Sequence, residues 1–314
     1  MKIPVFEDVI DAHRLIQRFI HNTPILTCTA INRMVGSEVF FKCENLQKTG
    51  AFKYRGACNA VFSLTDEQAS RGVGTHSSGN HAAALSLAAF IKGIHAHIVM
   101  PSNSAEIKKK AVSEYGGIIT YCEPTLQSRE GTLLKIADNL GIEIIHPYNN
   151  CKVIAGQGTA AKELLEAVPH LDLVMCPVGG GGLLSGTALS VKAYSSKCRV
   201  IAAEPSQADD AYRSFKAGYI IPSFHPETIA DGLLTSLGEI NFAIISKEVD
   251  DIITVSEESI IKAMRIVWER MKTIIEPSSA VPLAALFENK ETFRNLRIGI
   301  ILSGGNVDLG NLPF

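Results

Sequence analysis

Apolar residues fall in two patterns along this chain, helical spacing and short continuous runs. Phe6, Val9, Ile10, Ile16, Phe19 and Ile20 recur roughly at helical spacing, which predicts a helix over 6–21, broken by Thr23-Pro24. Glu-Val-Phe-Phe-Lys-Cys at 38–43 predicts a strand, followed by a helix running to about 64. From 72 to 148 the alternation is regular. Strands are predicted at 72–77, 95–100, 117–122 and 142–146, with helices at 81–92, 105–115 and 128–140. The alternation resumes with a helix at about 158–167, a buried-strand run at 171–178, a glycine loop at 179–182 and a helix at 183–194. Strands at 199–203, 251–255 and 297–302 and helices at 257–273 and 278–288 complete it. The expected fold class is α/β, with two doubly wound α/β domains. Residues 72–148 form the expected small domain, inserted into a large domain of 1–71 and 149–314. Ligands in such sheets bind at the carboxyl ends of the strands.

Composition narrows the field mainly by exclusion. With 314 residues, 46% of them hydrophobic, the chain can bury a large core. A net charge of -2 leaves no footprint for nucleic acid or an anionic membrane. The run Lys108-Lys109-Lys110 lies near Glu106 and Glu114 and reads as a solvated helix face. Seven scattered cysteines without a C-x-x-C suggest reduced thiols and a cytoplasmic location, not a disulfide framework or a zinc knuckle. The N-terminus lacks a signal-peptide core, and the longest apolar run, Ala82 to Ile91, is too short to span a membrane.

The chemistry gathers in four stretches. Lys53, just after Phe52, sits in an otherwise apolar neighbourhood. A lysine removed from water gives up its charge readily, and a neutral amine can form a Schiff base with an aldehyde. A lone lysine is ordinarily a surface residue, so this reading rests on its company. Gly179-Gly180-Gly181-Gly182 follows a strand and opens a helix, where backbone amides and the helix terminus suit a phosphate. The G-x-G-x-x-G spacing of a dinucleotide site fails, because the third position is Leu184 or Ser185. No Gly-Lys-Ser/Thr follows for a P-loop, so a single phosphate monoester fits better. Ser77-Ser78-Gly79-Asn80-His81 is a second strand-to-helix loop, suited to a carboxylate or a ring hydroxyl. Ser303 follows the strand at 297–302 and could meet a heteroaromatic nitrogen without the carboxylate charge that stabilises a pyridinium.

Together these describe a site for pyridoxal phosphate. The chain resembles the fold type II, tryptophan-synthase-β-like pyridoxal-phosphate enzymes. Within them it is similar to the eukaryotic serine racemases and the related serine/threonine and 3-hydroxyaspartate dehydratases. The resemblance runs essentially end to end. It is carried by Phe-Lys-Cys-Glu-Asn-Leu-Gln-Lys-Thr-Gly-Ala-Phe-Lys (41–53), Ser-Ser-Gly-Asn-His (77–81), Ala-Gly-Gln-Gly-Thr (155–159) and the Gly179–Gly182 loop. Ala-Glu-Pro (203–205), Thr-Ile-Ala-Asp-Gly (228–232), Ile-Glu-Pro (275–277) and Leu-Ser-Gly-Gly-Asn-Val-Asp (302–308) add to it.

The resemblance implies residue roles. Lys53 would hold the cofactor, with Phe52 and Gly232 flanking its ring, Asn80 at the ring hydroxyl and Ser303 at the ring nitrogen. The amides of Gly179, Gly180, Gly181, Gly182 and Leu183 would take the phosphate. Ser77, Asn80 and His81 would grip the substrate carboxylate, with Arg129 and Ser236 nearby. Lys53 would remove the α-proton and Ser78 would return one to the opposite face, interconverting L- and D-serine; loss of the β-hydroxyl would instead give pyruvate and ammonia. Glu204 and Asp210 are hard oxygen ligands, and the family places Mg²⁺, or Ca²⁺ or Mn²⁺, on Glu204, the Ala208 carbonyl and Asp210. The animal racemases carry an activating ATP site between subunits. Lys48 and Thr49 retain part of it, whereas Cys28-Thr29-Ala30, Ala82-Ala83 and Tyr148 depart from it. The expected partners are a small amino-acid substrate and a second copy of the chain, a homodimer, with no nucleic acid and no membrane. The rival readings are a dehydratase of L-serine, L-threonine or L-threo-3-hydroxyaspartate with little racemisation, a nicotinamide-dependent oxidoreductase, and a non-catalytic amino-acid sensor.

Overall fold

The computed structural model describes residues 2–77 and 79–314. In chain order the elements begin with α1 (Phe6–Ile16), β1 (Ile25–Thr27), α2 (Thr29–Val35), β2 (Glu38–Cys43), α3 (Lys53–Phe62) and α4 (Asp66–Arg71). Next come β3 (Val73–His76), α5 (Asn80–Lys92), β4 (Ala96–Pro101), α6 (Glu106–Glu114), β5 (Gly117–Cys122), α7 (Leu126–Leu140) and β6 (Glu143–Ile144). The chain then continues through α8 (Cys151–Ala167), β7 (Leu173–Pro177), α9 (Gly182–Tyr194), β8 (Arg199–Pro205), α10 (Asp210–Ala217) and α11 (Glu239–Glu248). It ends with β9 (Asp251–Val255), α12 (Glu257–Met271), α13 (Pro277–Glu288) and β10 (Arg297–Leu302).

Two sheets organise these elements. One has the order β1-β2-β10-β7-β8-β9, parallel except for β1, which pairs antiparallel with β2. The other, β5-β4-β3-β6, is wholly parallel. The central strands are apolar throughout because helices cover both faces. Side chains alternate between two cores. Leu173, Met175, Ile201, Ala203, Ile298 and Ile300 pack with α2, α12 and α13. Val174, Cys176, Val200, Ala202 and Ile301 pack with α8 and α9. A third core, centred on α5 with Ile98 and Met100 of β4, fills the four-stranded unit.

Helix boundaries follow local chemistry. Asn150 Oδ1 accepts from the amides of Lys152 (2.9 Å) and Val153 (3.1 Å), which starts α8 at 151. The expected start at about 158 is therefore too late. Gly156 and Gly158 look like helix breakers in sequence but serve close helix approach. A methyl at Gly156 would stand 2.6 Å from Gly56 Cα on α3, and one at Gly158 2.8 Å from Gly186 O on α9. The helix expected over 6–21 stops at Ile16, and the strand expected over 142–146 shrinks to two residues. The sequence pattern does not predict the short elements β1, α2, α4, α10 and α11, because three to ten residues carry too little periodicity to register. Among the described residues no helix is long and apolar enough to cross a membrane.

Candidate active site

The four chemical stretches converge at the carboxyl ends of both sheets. Lys53 opens α3, and Phe52 N donates to Ser303 O just beyond β10 (2.9 Å), which ties the lysine turn to that strand end. Lys53 Nζ donates to Pro147 O (2.9 Å). It lies 5.2 Å from the centre of the Phe52 ring and 6.0 Å from that of Tyr148. Burial disfavours its ammonium and outweighs the attraction of Glu276, so its pKa falls to about 8.

Tyr148 also covers the glycine loop, since a methyl at Gly180 would stand 2.4 Å from its ring. A methyl at Gly179 would meet Leu233 Cα at 3.0 Å and Gly232 O at 3.3 Å, so Gly232 borders the same cradle. Gly181 has φ 90°, a left-handed conformation, and offers no capping side chain to α9. The first-turn amides of that helix, including Leu183, thus face the cradle without intrahelical acceptors. Ser303 is buried, with Oγ 3.0 Å from Ser279 Oγ. Its single hydrogen can go to Ser279 or to an acceptor beside it.

Asn80, at the start of α5, joins the two sheet units. Its Nδ2 donates to Glu276 Oε1 (2.9 Å) and Oε2 (3.2 Å), and its Oδ1 accepts from Asn306 Nδ2 (2.9 Å). Burial raises the Glu276 carboxyl to about 7, Asp231 adds to the effect, and Asn80 opposes it. Ser77 Oγ accepts from Gly79 N (3.4 Å) beside this helix start. Ser78 lies outside the described residues. His81 is buried and its pKa lies well below the ordinary value, chiefly through desolvation, so the ring is neutral at pH 7. Its Nε2 faces Ile145 O (3.3 Å), and its buried Nδ1, without a partner among the described residues, is left as an acceptor. What His81 offers a carboxylate is its backbone amide in the first turn of α5.

Arg129, on α7, has a buried Nε without a partner among the described residues, and its charge depresses the His76 pKa after burial has done so. Ser236 Oγ accepts from Ser223 N (2.8 Å), two residues before Gly238, whose amide donates to Gly180 O (3.2 Å). A cavity of about 700 Å³ adjoins the site at Gly79 and Asn80, walled by Ala83, Tyr115 and the Lys108–Asp231 ion pair. Lys53 does not line it.

The metal candidates stand apart, at the end of β8. Glu204 Oε1 and Oε2 accept from Ala211 N (3.0 Å) and Tyr212 N (2.8 Å). Asp210 is 1% exposed, and neither of its carboxylate oxygens has a partner among the described residues. Burial raises Glu204 to about 9 and Asp210 to about 6. No cluster of three His, Cys, Asp or Glu side chains fit for a metal occurs among the described residues. Two carboxylates and a main-chain carbonyl could still hold a hard cation.

Sequence reasoning assigned no role to Glu276 or His146, and named Tyr148 only as a departure from the ATP site. Glu276 is the N-cap position of α13, followed by Pro277 at N1, a pattern visible in sequence as Glu-Pro. His146 gives no local signal. Burial lowers its pKa to about 4, and its Nδ1 accepts from Asn149 N (3.0 Å), beneath the Tyr148 ring at 4.6 Å.

The donor set fits pyridoxal phosphate: an uncapped glycine cradle for one phosphate, a lysine of lowered pKa for the aldehyde and a serine for the ring nitrogen. A family model described as pyridoxal-phosphate dependent enzyme matches residues 16–304. The chain belongs to that family, with the fold type II architecture. A β-hydroxyaspartate dehydratase of Paracoccus denitrificans is 52% identical over 314 residues, covering all of both chains. A serine racemase of Dictyostelium discoideum is 49% identical, covering 99% of this chain and 98% of its own. The crystal structure of that racemase superposes with a TM-score of 0.94, covering 98% of this chain and 99% of the other. Within the family, then, the chain stands among serine racemases and hydroxyaspartate dehydratases.

Because burial destabilises the ammonium, the reactive neutral amine of Lys53 appears at lower pH than in an ordinary lysine. In cofactor-free protein, acylation of Lys53 followed by peptide mass spectrometry should be half-maximal near pH 8, against 10.5 for an unperturbed side chain. A midpoint above about pH 10 would show that the amine is hydrated.

Proposed function

We propose that this chain is a pyridoxal-phosphate-dependent serine racemase that also dehydrates serine to pyruvate and ammonia. The observation carrying the reading is the half-buried Lys53 amine, its pKa lowered to about 8, set between an uncapped glycine cradle and Ser303. When bound, pyridoxal phosphate supplies an aldehyde and an electron-withdrawing ring. In this reading Lys53 holds the cofactor, Phe52 and Gly232 flank the ring, Asn80 meets its hydroxyl and Ser303 gives its hydrogen to the ring nitrogen. The amides of Gly179–Gly182 and Leu183 take the phosphate. Ser77, Asn80 and the His81 amide hold the substrate carboxylate. Lys53 Nζ removes the α-proton from one face, and the Ser78 hydroxyl returns one to the other.

We read 72–148 as a small domain inserted in a large one of 1–71 and 149–314, and the working form as a cytoplasmic homodimer. Free thiols at all seven cysteines fit a reducing compartment. Sedimentation at the 33.9 kDa of one chain would reject the dimer.

A second reading, as an L-threo-3-hydroxyaspartate dehydratase, is favoured by Arg129. Its buried, unpartnered Nε offers a donor to a second substrate carboxylate. L-Serine and L-threonine dehydration with little racemisation belongs to the same alternative. The divalent cation is proposed at Glu204, the Ala208 carbonyl and Asp210, where the unpartnered Asp210 oxygens would gain a ligand. ATP activation is proposed at a site between subunits, where Lys48 and Thr49 are retained and Ala82 and Ala83 offer no polar side-chain group.

Incubation of the holoenzyme with L-serine should yield D-serine and pyruvate together by chiral chromatography. Ser78→Ala should abolish D-serine while pyruvate persists; equal loss of both would remove Ser78 from the mechanism. ATP added to the same assay raises turnover if the nucleotide reading holds and leaves it unchanged if not.

With hydroxyaspartate as substrate, Arg129→Met should cut kcat/KM by about 100-fold, and with L-serine by less than about fivefold. Equal effects on both substrates would deny Arg129 a role in reading the second carboxylate.

Chelation should lower the melting temperature by several degrees, restored by Mg²⁺, in keeping with a ligand bound only to the folded state. An unchanged melt would refute the metal site.

A further inference from the structure

A dense cluster of buried charge lies two residues beyond Lys53. Arg55 is fully buried, and all five of its N–H groups are used. Nε and Nη2 donate to Glu44 Oε2 (2.6 Å) and Oε1 (2.8 Å). Nη1 and Nη2 donate to Glu163 Oε1 and Oε2 (both 2.7 Å), and Nη1 also to Thr159 Oγ1 (3.1 Å). Lys42 Nζ donates to Glu163 Oε2 (2.6 Å) and Thr23 O (2.8 Å). Two cations thus face two carboxylates. Burial works against every charge here. The Arg55 fork and Lys42 outweigh it for Glu163, whose pKa lies below the ordinary carboxylate value.

Such clusters are seldom the most stable way to fill a core, because desolvation offsets much of the attraction. What they offer is geometry, since a planar guanidinium gripped on two edges by carboxylates has one orientation. Lys53 and Arg55, two residues apart in the first turn of α3, point to nearly opposite sides of the helix. The cluster therefore pins the reverse of the turn that carries Nζ. Its two carboxylates come from the end of β2 and from α8.

α8 is also the element that meets both halves of the site. A methyl at Gly156 would stand 2.6 Å from Gly56 Cα on α3, and one at Gly186 on α9 2.5 Å from both Gly158 N and Ile154 O. The helix bearing the lysine and the helix whose N-terminus forms the glycine cradle thus lie in backbone contact with one spacer.

We propose that the Arg55–Glu44–Glu163 cluster is a positioning device that, with α8 as spacer, fixes Lys53 Nζ relative to the glycine cradle. The inference rests on reading Lys53 as the cofactor lysine. Because the cluster is internally balanced, it anchors the turn without adding a field at Nζ, where burial and Glu276 are the influences that register.

The test is Arg55→Lys, which keeps a cation but loses the fork. At saturating pyridoxal phosphate, kcat for L-serine should fall about tenfold or more while KM stays within about twofold, the pattern of a misplaced reacting group. In cofactor-free protein, the pH midpoint for Lys53 acylation should rise by about half a unit or more as water reaches the loosened turn. Met264→Ala, a cavity on α12, which contributes no residue to the site, serves as the control for general destabilisation and should leave both readouts unchanged. If Arg55→Lys loses melting temperature like the control but keeps kcat and the acylation midpoint, the cluster is structural only and the proposal fails. Should Arg55→Lys not fold, Thr159→Val removes the acceptor of one Arg55 Nη1 hydrogen, together with the Thr159 Oγ1–Gly156 O hydrogen bond inside α8 (2.6 Å), and should still lower kcat about threefold with an upward midpoint shift; no change in either would overturn the proposal. Borohydride reduction of the wild-type holoenzyme tests the underlying reading separately, because cofactor failing to attach to Lys53 would defeat that reading whatever Arg55 does.

Discussion

An amine loses its proton when water is taken from around it, and the site is arranged to take water from Lys53 Nζ. One main-chain carbonyl, Pro147 O, holds the nitrogen, while the Phe52 and Tyr148 rings cover it. The same exclusion of water keeps His81 and His146 neutral at pH 7, so neither supplies a competing cation. Glu276 pulls the other way from beneath Asn80, and burial holds its own carboxyl near 7. The proton affinity of the lysine is thus a balance between a dry pocket and one partly titrating acid.

That dry pocket requires elements to approach more closely than side chains allow. α8 lies between α3 and α9 with glycines at both contacts, and each approach leaves no room for a methyl group. The glycines that weaken α8 as an isolated helix are what let it approach both the lysine turn and the helix that follows the glycine loop. Covering both faces of the six-stranded sheet leaves the strand ends as the place where polar groups can face a ligand.

Buried charge is treated in three ways, and the differences carry meaning. Around Arg55 every donor is matched, which suits an anchor. At Glu276 a carboxylate is held by an amide side chain and a backbone N–H. At Asp210 two buried oxygens have no partner among the described residues, and at Arg129 a buried Nε has none. Unsatisfied buried polar groups are expensive, so they point to what binds there.

Much of this was legible in order along the chain. Alternating strands and helices over 72–148 and again beyond 171 placed the α/β class, and strand-to-helix glycine and serine loops marked where ligands would sit. The bounds of β5 and of the strands at 251–255 and 297–302 followed from apolar runs alone. Ordered motifs made Lys53, the Gly179 loop and Ser303 a single chemical statement before any fold was known. Local pattern could not supply the pairings between distant residues. Nothing in sequence brings Glu276 to Asn80 across 196 residues, lays Tyr148 over Gly180, or turns Nε2 of the His81 ring to Ile145 so that the amide is the donor left for a carboxylate. Nor could it say that Arg55 meets Glu163, 108 positions away, or that the glycines of α8 are contacts and not breaks. Periodicity and turn chemistry are written in neighbouring residues, whereas desolvation, close approach and the pairing of buried charge arise only when separate elements exclude water together.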